Sequence, residues 1–439
     1  MIVSIFGREL TTIRIPLSGS VPIPGIIKKL IETPEWQRLL NVKQLGLALN
    51  VYPGAVHTRA EHCLGTFALL DRYLERLHTQ EEFQKTFSKT KLSALLIAGL
   101  FHDVGQPPLS HWADGLMLED GTVLPSHESK VKEVMLSGES GRLIERELGI
   151  SPDAVFSLIE GKEPLAQLLS GEMDADRVDF LQRDAYHTGV PYGVSFDVER
   201  FVSSLFWESS SSRLALTKKG IHPLLSFMAA YDIMYEAVYV HKTVNALSSM
   251  LKKAIRIAHR EGLISRGELL QELNATDSEF EAFLQRKTEK SPEIIKRLLN
   301  PLFLKKREIV KLVAEINLGE NKLSQKQTLS LEKQLEKETG ATVIVEMFLK
   351  PLPSPEKILI ADTKRGKKPA LAAASEFLRF SPFSPISVLR IYTFEEAKEK
   401  VLGAVKDYNL HKFYAKSKPF LFESERKIHK FVDTAKGGD

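Results

Sequence analysis

Four side chains in this sequence could together hold a metal ion: His62, His102, Asp103 and Asp176. Imidazole nitrogens with carboxylates suit a divalent first-row metal. An ion bound by such a set lowers the pKa of a water molecule and polarises a phosphoryl oxygen. Singly, each residue has a plainer explanation. An adjacent His-Asp pair often caps a helix or sits on a surface, a histidine at a helix start is often a hydrogen-bonded structural residue, and an aspartate in an acidic helix is usually solvated. The joint pattern is what points to a metal. It lies where histidine is concentrated: His57, His62, His78, His102, His111, His127 and His187 are among the 12 histidines of the chain.

Such a site needs rigid elements to carry it. Thr58 and Glu61 form a T-x-x-E pattern that predicts a capping box. His62 would then lie in the first turn of a helix whose Phe67, Leu70, Leu74 and Leu77 share one face. The mostly apolar run 92–101 predicts a buried helix ending at His102 and Asp103. In GEMDADRVDFLQRD, residues Asp176, Phe180 and Asp184 share a face at i, i+4 and i+8. Across 439 residues two or three packed units are expected. Residues 1–25 read as an N-terminal β-hairpin segment, with the turn near Phe6 to Glu9, and 26–261 as a helical domain. Residues 262–341 read as a charged helical connecting region. In 342–439 the strand-like TVIVEMFL, KILIAD and SVLRIYT precede the helical FEEAKEKVLGAVKDY, which predicts a smaller C-terminal α+β lobe. The predicted class is therefore mainly α.

Composition narrows the function. Hydrophobic content of 43% and charge of 26% are those of a globular protein. A net charge of +4 permits an anionic ligand such as a nucleotide and does not demand nucleic acid. The single Cys63 excludes an intrachain disulfide and a Cys-rich zinc site, and fits a reducing cytoplasm. The opening residues lack the signal-peptide pattern, and no apolar run approaches the ~20 residues of a membrane span. A cytoplasmic protein without a membrane partner is expected.

Six stretches carry a resemblance: TPEWQRLLNVKQLG, VYPGAVHTRAEHCLG, AGLFHDVGQPPLSH, HES, DADRVDFLQRDAYHTGV and VYVHK. In this order they resemble the HD-domain metal-dependent phosphohydrolases, in particular the deoxynucleoside triphosphate triphosphohydrolases that include the human SAM-and-HD-domain enzyme. The resemblance implies an all-helical HD core and assigns His62, His102, Asp103 and Asp176 to the metal. It implies that Arg59 and Arg177 contact the phosphates; a guanidinium near a helix N-terminus suits phosphate oxygens in any case. It implies proton transfer by His111 and His127 with Asp114, although a structural hydrogen-bond network explains Asp114 equally well. Gln44 and Leu45 would touch the sugar and base, Phe180 the ribose, and Asp184 the 3′ hydroxyl. Tyr239 would crowd the 2′ position, with Tyr235 beside it, although a packed aromatic stripe competes as the explanation for Tyr231 and Tyr235. The metal could be Mn, Fe, Zn, Ni or Co, with an additional Mg riding on the nucleotide. A nucleotide substrate and a homo-oligomer, dimer or tetramer, are implied.

The chain also departs from the family pattern. Gln106 stands where relatives have a histidine; its amide can donate to phosphate but cannot transfer a proton near neutral pH. Tyr231 and Tyr235 replace an arginine and a histidine near the phosphates, and Val240 replaces a glutamine. Thr11, Glu32 and Leu40 occupy the lysine, aspartate and arginine positions of a guanine-nucleotide regulatory site, so that form of activation is not expected. Lys242 and the basic loop 364–368 are the remaining cations for a second nucleotide, and a solvated turn is the simpler reading of the loop. Two other functions stay open on the sequence: an HD-type enzyme for a monophosphate or cyclic nucleotide, and a nucleotide or nucleic-acid sensor.

Overall fold

The helix Lys89–Phe101 is apolar on every side, and each residue from Leu92 to Phe101 is buried. A helix without a polar face must sit inside a core. Its start is closed by Ser88, whose Oγ accepts from the Lys91 amide. Near its end, where carbonyls lack helical partners, the Trp36 indole donates to the Leu100 carbonyl at 3.1 Å. This helix packs beside Arg59–Leu77, whose Phe67, Leu70, Leu74 and Leu77 are all fully buried. Helix Ala175–Thr188 lies on Arg59–Leu77 as well. It is capped by Asp174, whose carboxylate accepts from the Arg177 amide, and it ends at Gly189 with φ 77°. The three helices converge where the candidate ligands sit. A fourth, Ile221–Met234, passes directly into a π-helical turn, Tyr235–Tyr239. Such turns are rare and concentrate at functional sites.

The computed structural model describes residues 1–7, 10–303, 306–319, 321–350, 353–363, 370–377 and 386–407. These fall into two compact units. The first comprises the described residues of Met1–Tyr239, His259–Lys290 and Leu352–Phe383. Besides its helices it holds a four-stranded sheet in the order Leu205–Glu208, Arg213–Thr217, Leu359–Asp362, Ala370–Ala373. The middle pair is parallel, with Ala215 opposite Leu359, and the outer pairs are antiparallel. The second comprises the described residues of Val240–Ala258, Ser291–Pro351 and Ser384–Asp439. Its antiparallel sheet runs Lys311–Gly319, Ile386–Thr393, Val343–Lys350. Leu331 and Leu335 of helix Gln325–Thr339, with Val401 and Val405 of Lys398–Asp407, close its core against Ile316, Val345 and Ile391. The molecule is thus mainly helical, with an N-terminal hairpin and a C-terminal α+β region.

Three local expectations change. The hairpin pairs Leu10–Ile15 with Gly19–Pro24, and its turn holds Leu17 and Gly19 at positive φ. Residues Ile2–Phe6, read as its first strand, form a helix that buries Ile2 and Ile5. The stretch 262–341 is helical only in part, because Lys311–Gly319 is a strand. KILIAD supplies a strand to the sheet of the first unit rather than to the C-terminal sheet. The basic loop 364–368 lies outside the described residues. Among the described residues no helix is long and apolar enough to cross a membrane.

Candidate active site

His62, His102 and Asp103 present ligand atoms within 4.8 Å of one another. His62 Nε2 lies 3.1 Å from His102 Nε2 and 2.9 Å from Asp176 Oδ1. Asp103 Oδ2 is 3.8 Å from His102 Nε2 and 4.0 Å from His62 Nε2. Both imidazoles have their other nitrogen engaged. His62 Nδ1 pairs with Asp179 Oδ2 and His102 Nδ1 with the Gly99 carbonyl, each at 2.8 Å. An acceptor at Nδ1 requires the proton there. In the neutral rings the two Nε2 lone pairs would then face one another, an arrangement relieved by a proton on one ring or by a metal cation between them. Burial opposes charge on both rings, but the surrounding carboxylates outweigh it. Asp176 and Asp179 hold His62 up to about 10. His102 is likewise raised, mainly by Asp103. Asp103 and Asp176 are held below the ordinary carboxylate range by the neighbouring cations, against their burial. This donor set calls for positive charge and fits a divalent ion.

A buried ionic chain stands behind His62. Asp179 receives Arg183 through two bonds of 2.9 and 2.8 Å, and Arg183 Nη1 donates to Glu61 Oε1 at 2.7 Å. Glu61 Oε1 also meets His187 Nε2 at 2.9 Å. His187 stacks on His57 at 4.3 Å, and His57 Nε2 lies 2.8 Å from Asp184 Oδ1. Gly65 makes room for this chain, since a Cβ there would lie 2.1 Å from Asp179 Oδ1. The capping box is only half formed: Thr58 accepts from the Glu61 amide, but the Glu61 carboxylate serves Arg183 and His187. An ion pair with a fully buried guanidinium outweighs one exposed cap bond.

Arg59 is also buried. Its Nη1 donates to Asp103 Oδ2 at 2.7 Å, and its Nη2 to the Gln44 carbonyl and to Ser110 Oγ. Leu109 and Ser110 both have positive φ, 58° and 71°. Two consecutive side chains in this region cost roughly 1–3 kcal/mol each and persist only when their surroundings hold them. Asp277 does so. Its Oδ1 accepts from the Leu109 amide at 2.8 Å, and its Oδ2 from the Lys43 amide and Nζ. Gly46 lets the two loops touch; a Cβ there would stand 2.3 Å from the Leu109 carbonyl oxygen. Directly after Ser110, Asp114 Oδ2 accepts from His111 Nδ1 and His127 Nδ1, both at 2.9 Å. Those bonds hold the Asp114 carboxyl well below its ordinary range although burial opposes this, and they leave both Nε2 atoms free.

The aromatic wall follows. Phe180 lies edge-on to His62 and Tyr239, at 6.5 and 5.7 Å between ring centres. Tyr231 and Tyr235 stack at 4.8 Å, and Tyr239 OH donates to Asp184 Oδ2 at 2.7 Å. Buried Gln44 has an Oε1 without a hydrogen-bond partner. Leu45 is half-buried beside it. The Arg177 guanidinium lies 5.9 Å from the Tyr231 ring centre and donates to the Gly171 carbonyl.

Two family models match the chain. The HD domain covers residues 59–180, a span that holds His62, His102, Asp103 and Asp176, and an HD associated region covers 196–416. The chain belongs to the HD-domain phosphohydrolases. An uncharacterized protein of Methanocaldococcus jannaschii is 32% identical over 339 residues, 75% of this chain and 66% of that one. The deoxynucleoside triphosphate triphosphohydrolase SAMHD1 of Xenopus laevis is 26% identical over 54% of this chain and 44% of its own length. The Dictyostelium discoideum SAMHD1 homolog is 29% identical over 70% and 60%. The matches thus span about half to two thirds of the relatives' lengths. In fold, a hypothetical protein from Aquifex aeolicus superposes with a TM-score of 0.69 at 24% identity, covering 90% of this chain and all of that one.

For an HD-domain phosphohydrolase, Gln106 has an unexpected place. It is buried and donates to Asp103 Oδ1 at 3.3 Å, so its amide steadies a candidate ligand and is not presented to a phosphate. A buried amide takes the nearest carboxylate. The sequence reading missed Asp179, Arg183, His57, His187 and Asp277. Asp179 and Arg183 at i, i+4 carried a usable signal; Asp277, far along the chain, carried none.

Proposed function

We propose that this HD-domain hydrolase converts a deoxynucleoside triphosphate to a deoxynucleoside and inorganic triphosphate. The observation that carries the reading is the Tyr239–Asp184 hydrogen bond beside Phe180, on the same helix as Asp176. A carboxylate there can accept the sugar 3′ hydroxyl, and the Tyr239 phenol fills the space a 2′ hydroxyl would need. His62, His102, Asp103 and Asp176 would hold a divalent metal, which when bound lowers the pKa of water and polarises a phosphoryl oxygen. The bond between the 5′ oxygen and the α-phosphorus breaks, water supplies the new oxygen, and the 5′ oxygen takes a proton. His111 or His127 supplies that proton from Nε2, each oriented by Asp114 at Nδ1. Arg59 and Arg177 offset charge on the phosphates. Gln44 offers its unpartnered Oε1, and with Leu45 it borders the sugar and base.

Incubation with each dNTP and a series of divalent metals, followed by product separation, tests this. Deoxynucleoside and triphosphate are expected; monophosphate with pyrophosphate, or no turnover with any metal, refutes it. A monophosphate or cyclic-nucleotide substrate is the second reading. It is favoured by the neutral Tyr231–Tyr235 stack and by Arg177's bond to Gly171, which weaken the triphosphate grip. A phosphoester panel separates the two. A homo-oligomer in the cytoplasm is part of the same proposal, and sedimentation tests the assembly.

A further inference from the structure

We propose that a cavity of about 240 Å³ bordered by Arg177, Arg213 and Lys357 is a binding site for an inorganic oligophosphate. Three cations line it against one carboxylate, Glu172. Glu172 alone cannot neutralise them; the buried Asp174, also 3.7 Å from Arg177 Nη1, offsets a second charge, and the lining stays net positive through Arg213 and Lys357. Glu172 Oε2 accepts from the Ser354 amide at 3.0 Å and stands 3.7 Å from Arg177 Nη1. Its Oε1 is 3.6 Å from Lys357 Nζ, beyond hydrogen-bond reach. Arg213 donates to the Lys357 carbonyl, a bond that leaves its charge unpaired. Arg177 forms the more buried part of the wall, with its side chain 28% exposed, while Lys357 at 70% stands at the rim.

The neutral groups of the lining are already used. Gln167 donates to the Pro164 and Ser212 carbonyls and accepts from the Leu214 amide, and Ser170 donates to the Ile159 carbonyl. Fixed charge is what the cavity has to offer, and planar guanidinium with ammonium suits phosphoryl oxygens. Size decides the class of anion. Pockets for drug-sized molecules occupy roughly 300–1,000 Å³, so this cavity suits a compact inorganic anion better than a whole enclosed nucleotide. The backbone that carries the cations is fixed: Arg213 begins a strand that pairs with the one following Lys357, and Arg177 lies in the first turn of the Ala175–Thr188 helix.

Arg177 follows Asp176 directly in sequence and its guanidinium already borders the cavity, so an anion bound there holds it out of reach of a nucleotide at the candidate metal cluster. Bound triphosphate then inhibits turnover. That consequence rests on the proposed function; the cavity's affinity for the anion does not.

The test is calorimetric titration of inorganic triphosphate into the full-length protein, with pyrophosphate, orthophosphate and sulfate as parallel probes. Wild type should bind triphosphate more tightly than sulfate. Asp176→Ala, aimed at the metal cluster, should retain that binding. The double variant Arg213→Ala/Lys357→Ala should lose about tenfold or more in affinity, and the charge-retaining Arg213→Lys/Lys357→Arg should keep most of it. Equal affinity in wild type and the alanine double variant overturns the proposal. So does equal affinity for sulfate and triphosphate, loss of binding in Asp176→Ala, or no binding to wild type at millimolar probe. Where dNTP turnover is measurable, the alanine double variant should match the wild-type initial rate and resist inhibition by triphosphate. If no dNTP is turned over, the function proposed above falls, and the titration still decides the cavity.

Discussion

Asp179 shows how much of the site lies one bond behind the candidate ligands. It fixes the proton on His62 Nδ1 and is itself held by two bonds from Arg183. Replacing such a partner typically lowers metal affinity about 10–100-fold. Asp179→Asn should therefore lose metal during dialysis under conditions that leave wild type loaded, as elemental analysis would show; full retention would count against the site. His127 and Asp114 make a second test, through pH. Burial lowers the His127 pKa, but the Asp114 hydrogen bond and charge outweigh it and raise the net value. A raised folded value gives stability that is complete below the ordinary histidine pKa near ~6.5 and is lost as pH rises through the folded value. Asp114, held low, contributes above its ordinary ~3.9 and loses that contribution as pH falls through its folded value. The pair therefore stabilises most between about pH 4 and 6.5. Wild type should exceed Asp114→Asn in unfolding free energy by on the order of 1 kcal/mol at pH 6. The gap should narrow by pH 9 in denaturant titrations; a gap independent of pH would show that the His127 imidazole carries no charge there. The four candidate ligands were legible in the sequence because their residue types are unusual in combination, and the His111–Asp114–His127 cluster through the family resemblance; Asp179 was not. Nor was the Glu61–Arg183 pair, since a local cap already explained Glu61.

At the scale of elements, legibility followed the distance along the chain over which each element finds its partners. The apolar run 92–101 and the cap at Asp174 specify their helices locally, and both helices formed. Strand Lys311–Gly319 pairs with Ile386–Thr393, some seventy residues on, and its alternation was hidden in a charged, helix-rich stretch. The loop holding Leu109 and Ser110 is the extreme case, because its shape depends on Asp277. Asp277→Ala would leave the Leu109 and Lys43 amides buried without an acceptor, at about 1–3 kcal/mol in total stability. It should also free Ser110 from Arg59 and turn His111 away from its place. The expected result is a kcat that falls more than tenfold with little change in metal content. A variant that loses stability but keeps its kcat would show that the clamp does not position the loop.

Over the whole molecule, each unit has a core of its own, and each should answer to a different perturbation. The candidate ligands all belong to the first unit. A ligand that binds only the folded state stabilises it by about 2.7 kcal/mol at a hundredfold excess over Kd. The second unit is braced instead by Lys253, whose Nζ donates to Glu332 Oε1, Glu336 Oε1 and the Val343 carbonyl within 2.9 Å. Removing one partner of a buried ion pair strands the other and costs about 3–5 kcal/mol. Calorimetry should therefore resolve two responses. Chelation should lower the transition assigned to the first unit and spare the second, while Lys253→Met should do the reverse. Hydrogen exchange at amides of helices Lys89–Phe101 and Gln325–Thr339 would assign each transition to its unit. A chelator that shifted both equally, or a Lys253→Met variant that released metal, would mean that the two cores unfold as one. Metal loading would then act on the stability of the entire chain.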